Sequence, residues 1–446
     1  MYKSIVYYLV RIAVASLTFM KVVGSLLAAG AGDAQVTLAW TPSVSPNIVG
    51  YNIYYGPASG DYTNVVAVGD LSSVSISNLM SGTYYYFAAT SLDNSGLESV
   101  YSNEVVFWVP RAEIPFPAVQ GEYRGLFSET AQVRQNSAGA LSLTITAGGA
   151  YSGVIQMGMG RFPFHGHLDS RGLSTNKVSR RAGAGLQLQF AVGAGAQTND
   201  LIGAVSDGTW QAVLKGSRAV FNSRNNPSPY AGNYDLVFPG FLGNASLPAG
   251  DGFATVQVAP SGIVKMAAKL ADGTSASQSA FISADGTWPI YIPLYAGNGS
   301  LVSWITLANQ SSGGLSWIKP ANPRARYYPA GFTVSCQAVG SAYSPLQGTD
   351  TLFGSGNAIV DFAGGDLATA FTDSVPASTA NVPNHASDNL MFRFSRSSGA
   401  FFGTVFDSSA DGRYSFSGVV LQSLGSGFGF LLGGHQSSQV SVQVMP

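Results

Sequence analysis

Large apolar side chains recur at every second position over Val36-Thr-Leu38-Ala-Trp40, with small or polar residues between them. That period of two marks a half-buried strand. A turn-rich stretch from Thr41 to Asn47 leads into Tyr51-Asn-Ile53-Tyr-Tyr55, which alternates again and ends in Gly56-Pro-Ala-Ser-Gly60. A further run follows at Leu79-Met-Ser-Gly82-Thr83-Tyr-Tyr85-Tyr-Phe87-Ala-Ala89. Strands spaced at about 8–15 residues, with turn signals between them and no helical period, predict a β-sandwich. Its expected core is Val36, Leu38, Trp40, Tyr51, Ile53, Tyr85, Phe87 and Ala89. The phenol of Tyr85 is worth burying only where its hydroxyl finds a partner.

Pro110, Pro115 and Pro117 make 111–119 a short stiff linker. Beyond it the pattern is glycine-punctuated β to the end, and it repeats. Gly121-Glu-Tyr123-Arg-Gly125-Leu-Phe127 is echoed by Gly232-Asn-Tyr234-Asp-Leu-Val-Phe238, and Val205-Ser-Asp207-Gly208-Thr-Trp210 by Ser283-Ala-Asp285-Gly286-Thr-Trp288. Tyr151-Ser-Gly153-Val and Phe164-His-Gly166-His-Leu are echoed by Phe402-Gly403-Thr-Val and Phe416-Ser-Gly418-Val-Val. Three β-rich units are expected, at 120–230, 231–329 and 330–446. Asp-Gly pairs at Asp207, Asp272, Asp285 and Asp411 stand between strand-like segments and signal tight hairpins. The aromatic-x-Gly echoes suit a ring lying over a glycine where a sheet curls. One or two antiparallel barrels are therefore expected over 120–446, with flattened sandwiches as the second choice.

Residues 34–110 resemble a fibronectin type III domain. Trp40 stands on its second strand, and Tyr51-x-Ile53-x-Tyr55 matches its third. Leu79-x-x-x-Thr83-x-Tyr85 resembles the corner before its sixth strand, and Glu98-Ser99-x-Tyr101-Ser102-Asn103-Glu104-Val105 the last strand of bacterial members. Ser81 departs from the family's usual proline. The resemblance implies a sandwich with Tyr85 as the corner tyrosine. No Arg-Gly-Asp triplet occurs in it, so integrin binding has no support. The rest of the chain is similar to C-terminal parts of large exported bacterial proteins at Asp285–Trp288, Leu315–Pro320 and Gly418–Gln422. That likeness implies a grouping of domains and no activity. The expected fold is all-β, a fibronectin type III-like sandwich followed by barrel-like or sandwich-like repeat domains.

Composition adds a location. Charged residues are 10% of the 446, against about 25% in ordinary soluble domains. Ser, Thr, Asn, Gln and Gly must then cover the surface, as on many exported β proteins. Lys3 and Arg11 precede apolar runs from Ile12 to Met20 and from Val22 to Ala29, and Ala29-Gly30-Ala31 suits signal peptidase. Residues 1–31 are therefore expected to be a signal peptide cut after Ala31 or Ala34, with an uncleaved anchor as the alternative. Membrane contact is expected only through that segment, and the protein at the cell surface or outside. Without residues 1–31 there remain 19 positive and 23 negative groups, with no basic stripe for nucleic acid. One cysteine, Cys336, excludes an intramolecular disulfide framework and any multi-cysteine zinc site. The expected role of Cys336 is a small strand hydrophobe.

Catalytic chemistry has little to stand on. His165-x-His167 on a strand would share one face, with Asp169 at the next step, which makes a metal half-site. Outward polar residues on a barrel strand explain the same spacing, and no metal or cofactor is expected. No serine has glycine two residues before and two after it, and the Asp-Gly carboxylates read as turn residues. The expectation is a secreted or cell-surface non-catalytic binding or structural protein, whose partner is a polysaccharide or a cell-envelope protein. An accessory or degenerate hydrolytic module acting on extracellular polysaccharide is the first alternative. Two carboxylates facing one groove would favour it. An outer-membrane barrel is the second, though the chain's last residues, Gln443-Val-Met-Pro446, lack the terminal aromatic such barrels carry.

Overall fold

Period-two alternation does become strand almost throughout. A computed structural model describes residues 20–26, 34–80, 83–109, 114–180, 183–193, 199–347, 357–376, 385–386, 390–408 and 411–444. The chain divides into two units, one up to Pro115 and the other from Phe116 onward.

The first unit is a sandwich of a three-stranded and a four-stranded sheet. Strands β1 (Met20–Leu26), β2 (Ala34–Trp40) and β5 (Ser73–Leu79) form one in the order β1-β2-β5. Strands β3 (Ile48–Gly56), β4 (Asn64–Ala67), β6 (Tyr84–Asp93) and β7 (Val105–Trp108) form the other, in the order β4-β3-β6-β7. Val36, Leu38, Trp40, Tyr51, Ile53, Phe87 and Ala89 are buried between them. Tyr85 is only half-buried, because its hydroxyl reaches the rim, where it accepts the Met80 N–H at 3.2 Å. Strand β1 falls inside the segment expected to be a signal peptide and pairs antiparallel with β2. Residues 1–19 and 27–33 of that segment's surroundings, Ser81, Gly82, and Pro110 to Glu113 lie outside the described residues.

The second unit holds three eight-stranded antiparallel meanders, each curled until its first and last strands pair. The first runs β8 (Gly121–Ser128), β9 (Gly139–Ile145), β10 (Ala150–Met157), β11 (Gly160–His167), β12 (Leu173–Val178), β13 (Leu186–Val192), β14 (Asp200–Ser206) and β15 (Gln211–Arg218). The second runs β16 (Gly232–Phe238), β17 (Gly252–Val258), β18 (Ile263–Lys269), β19 (Ser275–Phe281), β20 (Thr287–Leu294), β21 (Gly299–Thr306), β22 (Gln310–Lys319) and β23 (Phe332–Tyr343). The third runs β24 (Asn357–Ala363), β25 (Phe371–Pro376), β26 (His385–Ala386), β27 (Leu390–Phe394), β28 (Ala400–Asp407), β29 (Gly412–Leu421), β30 (Ser426–Leu432) and β31 (Ser437–Val444). Strand pairing lapses between β11 and β12, between β19 and β20, and between β25 and β26. The barrels thus number three rather than one or two. The boundary expected at 330 falls too early, since β23 pairs with both β16 and β22 and closes the second barrel.

In the first and third barrels rings meet glycines across a hairpin. Tyr151 stands opposite Gly166 and Phe164 opposite Gly153 across β10 and β11. Phe401 stands opposite Gly418 and Phe416 opposite Gly403 across β28 and β29. The inward ring of the second set is Phe401, while Phe402, singled out in the sequence echo, points outward and is 48% exposed. Outward positions on these strands are polar, as at Gln187, Gln189 and Lys265, and the lumens are packed with apolar side chains. A lipid-embedded barrel has the opposite polarity.

The second and third barrels meet at Val237, Phe253 and Ala271 against Val419, Leu421 and Phe430. Beside that contact lies Asp235, 1% exposed, whose Oδ2 has no hydrogen-bond partner among the described residues and packs against Gly399. Burial pushes its carboxyl up to about 8. The unfolded chain ionises this group near the ordinary carboxylate value, and the folded chain does not until about pH 8, so stability must fall across that window as pH rises.

Two outcomes follow from this packing. Gly153→Ala would place a Cβ 2.5 Å from Phe164 Cζ, and should cost about 1–3 kcal/mol in urea unfolding, with the loss reduced in a Phe164→Leu background. Asp235→Asn should flatten the decline of stability between pH 5 and 8, whose steepest slope for one such group is about 1.4 kcal/mol per pH unit. An unchanged slope in that variant would remove Asp235 as its source.

Candidate functional site

The outward faces of the first two barrels meet along a seam. Leu126 of β8, Tyr291 of β20 and Val302 of β21 are buried in it, with Val133, Ala140 and Trp304 packed around them. Polar bonds hold the register. The Gly158 N–H donates to Tyr291 Oη at 2.6 Å, Gln135 Nε2 donates to Gly297 O at 2.9 Å, and Ser300 Oγ donates to Gln135 Oε1 at 2.7 Å. The two convex surfaces cannot touch everywhere, and hollows flank the contact. One of 330 Å³ lies over Arg124, Gln156, Arg161 and the open edges of β19 and β20. One of 380 Å³ runs past Glu129, Val213, Ser303 and Ser316, and one of 630 Å³ past Asn199, Asp200, Ser217 and Asp285. Trp304 and Lys215 line both of the last two, which makes them parts of one cleft.

Local folding explains why these side chains converge. The ladder between β21 and β22 lapses opposite Trp304 and Ile305, where Gly313 passes so close to the Trp304 carbonyl that no Cβ would fit. Trp304 is left half-buried, one part of its indole on the seam and the rest in the cleft. Asp285 caps the tight turn into β20, where Gly286 has φ +80° beneath the Tyr230 ring. Its carboxylate accepts from Thr287 Oγ1 at 2.9 Å and from Ser283 Oγ. Burial works to raise the Asp285 carboxyl, and these hydrogen bonds outweigh it and hold the group below the usual carboxylate range. Asp200, at the start of β14, is shifted the other way, raised by burial and by the charge of Asp285. Asn199 beside it is fixed by Arg218, whose Nε and Nη2 donate to Asn199 Oδ1 at 3.0 and 2.7 Å. The cleft therefore joins a flat aromatic face, several hydroxyls, an ammonium group and two carboxylates of opposite protonation tendency.

The candidates from the sequence lie elsewhere. His165 and His167 are exposed on the outward face of β11, and His167 Nδ1 sits 2.7 Å from Leu168 O. Asp169 is in the turn that follows, its Oδ1 accepting from the N–H groups of Arg171 and Leu173 at 3.0 and 2.8 Å. Among the described residues no group of three or more His, Cys, Asp or Glu is arranged to hold a metal ion. Cys336 is half-buried on β23, and burial, with the charge of Asp251, pushes its thiol up to about 11. Asp272 does more than turn a hairpin. Its Oδ2 meets Lys319 Nζ at 2.5 Å and accepts from Tyr295 Oη at 2.7 Å, while Trp317 Nε1 donates to Tyr295 Oη at 3.0 Å. This buried network closes one end of the second barrel and places Trp317 and Lys319 of the Leu315–Pro320 motif in a structural role.

No protein-family model and no curated protein matches the chain. Solved structures match at low identity. A transferrin binding protein B from Haemophilus parasuis Hp5 is 11% identical, over 90% of this chain and 96% of that one, with a TM-score of 0.19. The central fibronectin-III array of RIM-binding protein is 12% identical, over 60% and 96%, with a TM-score of 0.17. An endo-1,5-alpha-L-arabinanase from Thermotoga petrophila RKU-1 is 8% identical, over 81% and 96%, with a TM-score of 0.19. At such scores these likenesses carry no argument about what the chain does.

The opposed shifts of Asp200 and Asp285 make the cleft's electrostatics measurable. Asp285→Asn removes one charge that raises Asp200, so the Asp200 carboxyl should titrate at lower pH in that variant, read by carbon-detected NMR. A titration of Asp200 that does not move would mean that the two carboxylates are not coupled.

Proposed function

We propose that the protein is an exported, non-catalytic binding protein that takes a segment of polysaccharide in the cleft between its first two barrels. The leader-like pattern of residues 1–31 and the low-charge surface support export. Trp304 carries the binding reading. A half-exposed indole offers the flat apolar face on which a sugar ring stacks, and the hydroxyls and amide around it suit a ligand made of hydroxyl groups. Arg218 holds Asn199 in one orientation, so that this donor-acceptor pair is ready before the ligand arrives.

The Asp200 and Asp285 pair supports a second reading, hydrolysis of the bound chain. A protonated Asp200 would give its proton to the glycosidic oxygen as the bond to the anomeric carbon breaks. An ionised Asp285 would take a proton from the water whose oxygen forms the new bond to that carbon.

A glycan array with the full chain identifies the ligand class. Trp304→Ala should weaken binding to the best glycan by about tenfold or more, which is about 1.4 kcal/mol. An empty array alongside a specific protein pull-down would sink the polysaccharide reading. Release of reducing ends from the bound glycan, lost in Asp200→Asn, would replace binding by hydrolysis.

A further inference from the structure

The first module presents a surface of a different kind. Among the described residues twenty large hydrophobic side chains are exposed, and eleven of them lie between Val44 and Trp108. Several share the outward face of the four-stranded sheet, because cross-strand partners point the same way. Tyr84 pairs with Trp108, Tyr86 with Val106, and Tyr54 with Val65. Tyr84 and Trp108 are 53% and 38% exposed, with ring centroids 4.6 Å apart. Tyr54 of β3 forms a tyrosine cluster with Tyr62 and Tyr101 from the adjoining loops, Tyr101 lying 5.2 Å from each of the other two.

Two carboxylates are set into this face, and every donor to them is neutral. Glu98 accepts from Asn52 Nδ2 at 2.6 Å, Tyr54 Oη at 2.9 Å and Thr90 Oγ1 at 2.7 Å. Glu104 accepts from Ser59 Oγ at 2.7 Å, Tyr62 Oη at 2.8 Å and the Gly60 N–H at 2.9 Å. Such bonds hold a carboxylate in place and leave its charge uncompensated. Between Ala34 and Pro110 the chain has no counter-charge to offer, and Lys21 of β1 belongs to the other sheet. Residues 34–110 contain five carboxylates, Asp61, Asp70, Asp93, Glu98 and Glu104, and no Lys, Arg or His. Residues 116–446 carry 18 positive and 16 negative groups, so the negative excess is local to the module.

We propose that the outward aromatic face of this module docks a basic polypeptide segment, its Lys or Arg side chains lying on the Tyr84 and Trp108 rings and reaching Glu98 and Glu104. Aromatic faces attract cations through their quadrupole, and fixed carboxylates add ion pairing without reorganisation. A neutral sugar would use the rings and leave the two charges unanswered. A second copy of this chain is a poorer fit, since its own module repeats the same negative excess. The site, the ligand charge and the partner class all differ from those of the inter-barrel cleft.

Titration calorimetry of the full chain with an octa-arginine peptide tests this, with octa-glutamate and a neutral gluco-oligosaccharide as comparators. Octa-arginine should bind, more weakly as salt is raised. The double substitution Tyr84→Ala, Trp108→Ala should weaken it by about tenfold with an unchanged thermal unfolding curve. Trp108→Phe should retain most of the affinity, because a ring face remains. Asp70→Asn, which removes an exposed charge in the turn before β5, should leave binding intact. Absence of binding, an equal loss in Asp70→Asn, or preference for the neutral oligosaccharide over octa-arginine would each overturn the proposal.

Discussion

The first and third barrels depend on one contact, a ring laid over a glycine on the neighbouring strand, made twice in opposite directions across a single hairpin of each. Tyr151 covers Gly166 while Phe164 covers Gly153, and Phe401 covers Gly418 while Phe416 covers Gly403. Glycine gives up its side chain and lets the strand bend, and the opposite ring refills the lost contact from across the pair. Each exchange curls the sheet and fills the lumen. Tyr151 also spans the lapse in the first barrel, since its hydroxyl, lying over Gly166 of β11, meets Ser174 and Asn176 of β12. A side-chain bridge thus replaces the backbone ladder at the one place where the sheet does not close.

Three packed cylinders side by side still need adhesive faces. Period-two strands of a solitary barrel would keep polar residues outside, and most strands here do. Those at the seams break that rule. Strand β20, Thr-Trp-Pro-Ile-Tyr-Ile-Pro-Leu, is apolar at nearly every position because Trp288, Ile290 and Ile292 face the lumen and Tyr291 faces the first barrel. Val302 and Trp304 do the same on β21. Burial on both faces is the physical cost of assembly, and it reads as a continuous apolar run.

That is why the architecture was legible and the site was not. Alternation, Asp-Gly turns and aromatic-x-Gly echoes are local consequences of strand geometry, so they can be read from neighbouring residues. The number of barrels could not be read this way, because β23 looks like any other strand until its partner β16, about a hundred residues earlier, is known. The cleft is more remote still. Asp200 and Asp285 come from different barrels; Asp200 stands in no motif, and the Asp-Gly motif of Asp285 reads as a turn. The available signal was Trp304, a large ring at an outward position beside Val302, which marks a strand that must meet something besides water. Asp272 shows the converse limit. Its turn was legible and its bond to Lys319 was not, since the pair is joined only by closure of the barrel end.

Packing of the lumens also decides where binding can take place. An eight-stranded barrel has an interior that side chains just fill unless small residues leave space. Here the second barrel's interior holds Trp288, Met266, Leu301 and Trp317 among many others, and the third holds four buried phenylalanines, Phe362, Phe392, Phe401 and Phe416, so among the described residues side chains fill both lumens. The Asp272–Lys319–Tyr295 network closes one end of the second barrel as well. Under the binding reading proposed above, a ligand would be met on outer surfaces rather than in these two lumens. Two such surfaces depart from the polar norm, the seam around Trp304 and the sheet face around Trp108. They differ in charge, because the first sets carboxylates beside Lys215 and the second has no positive group between residues 34 and 110 to balance Glu98 and Glu104.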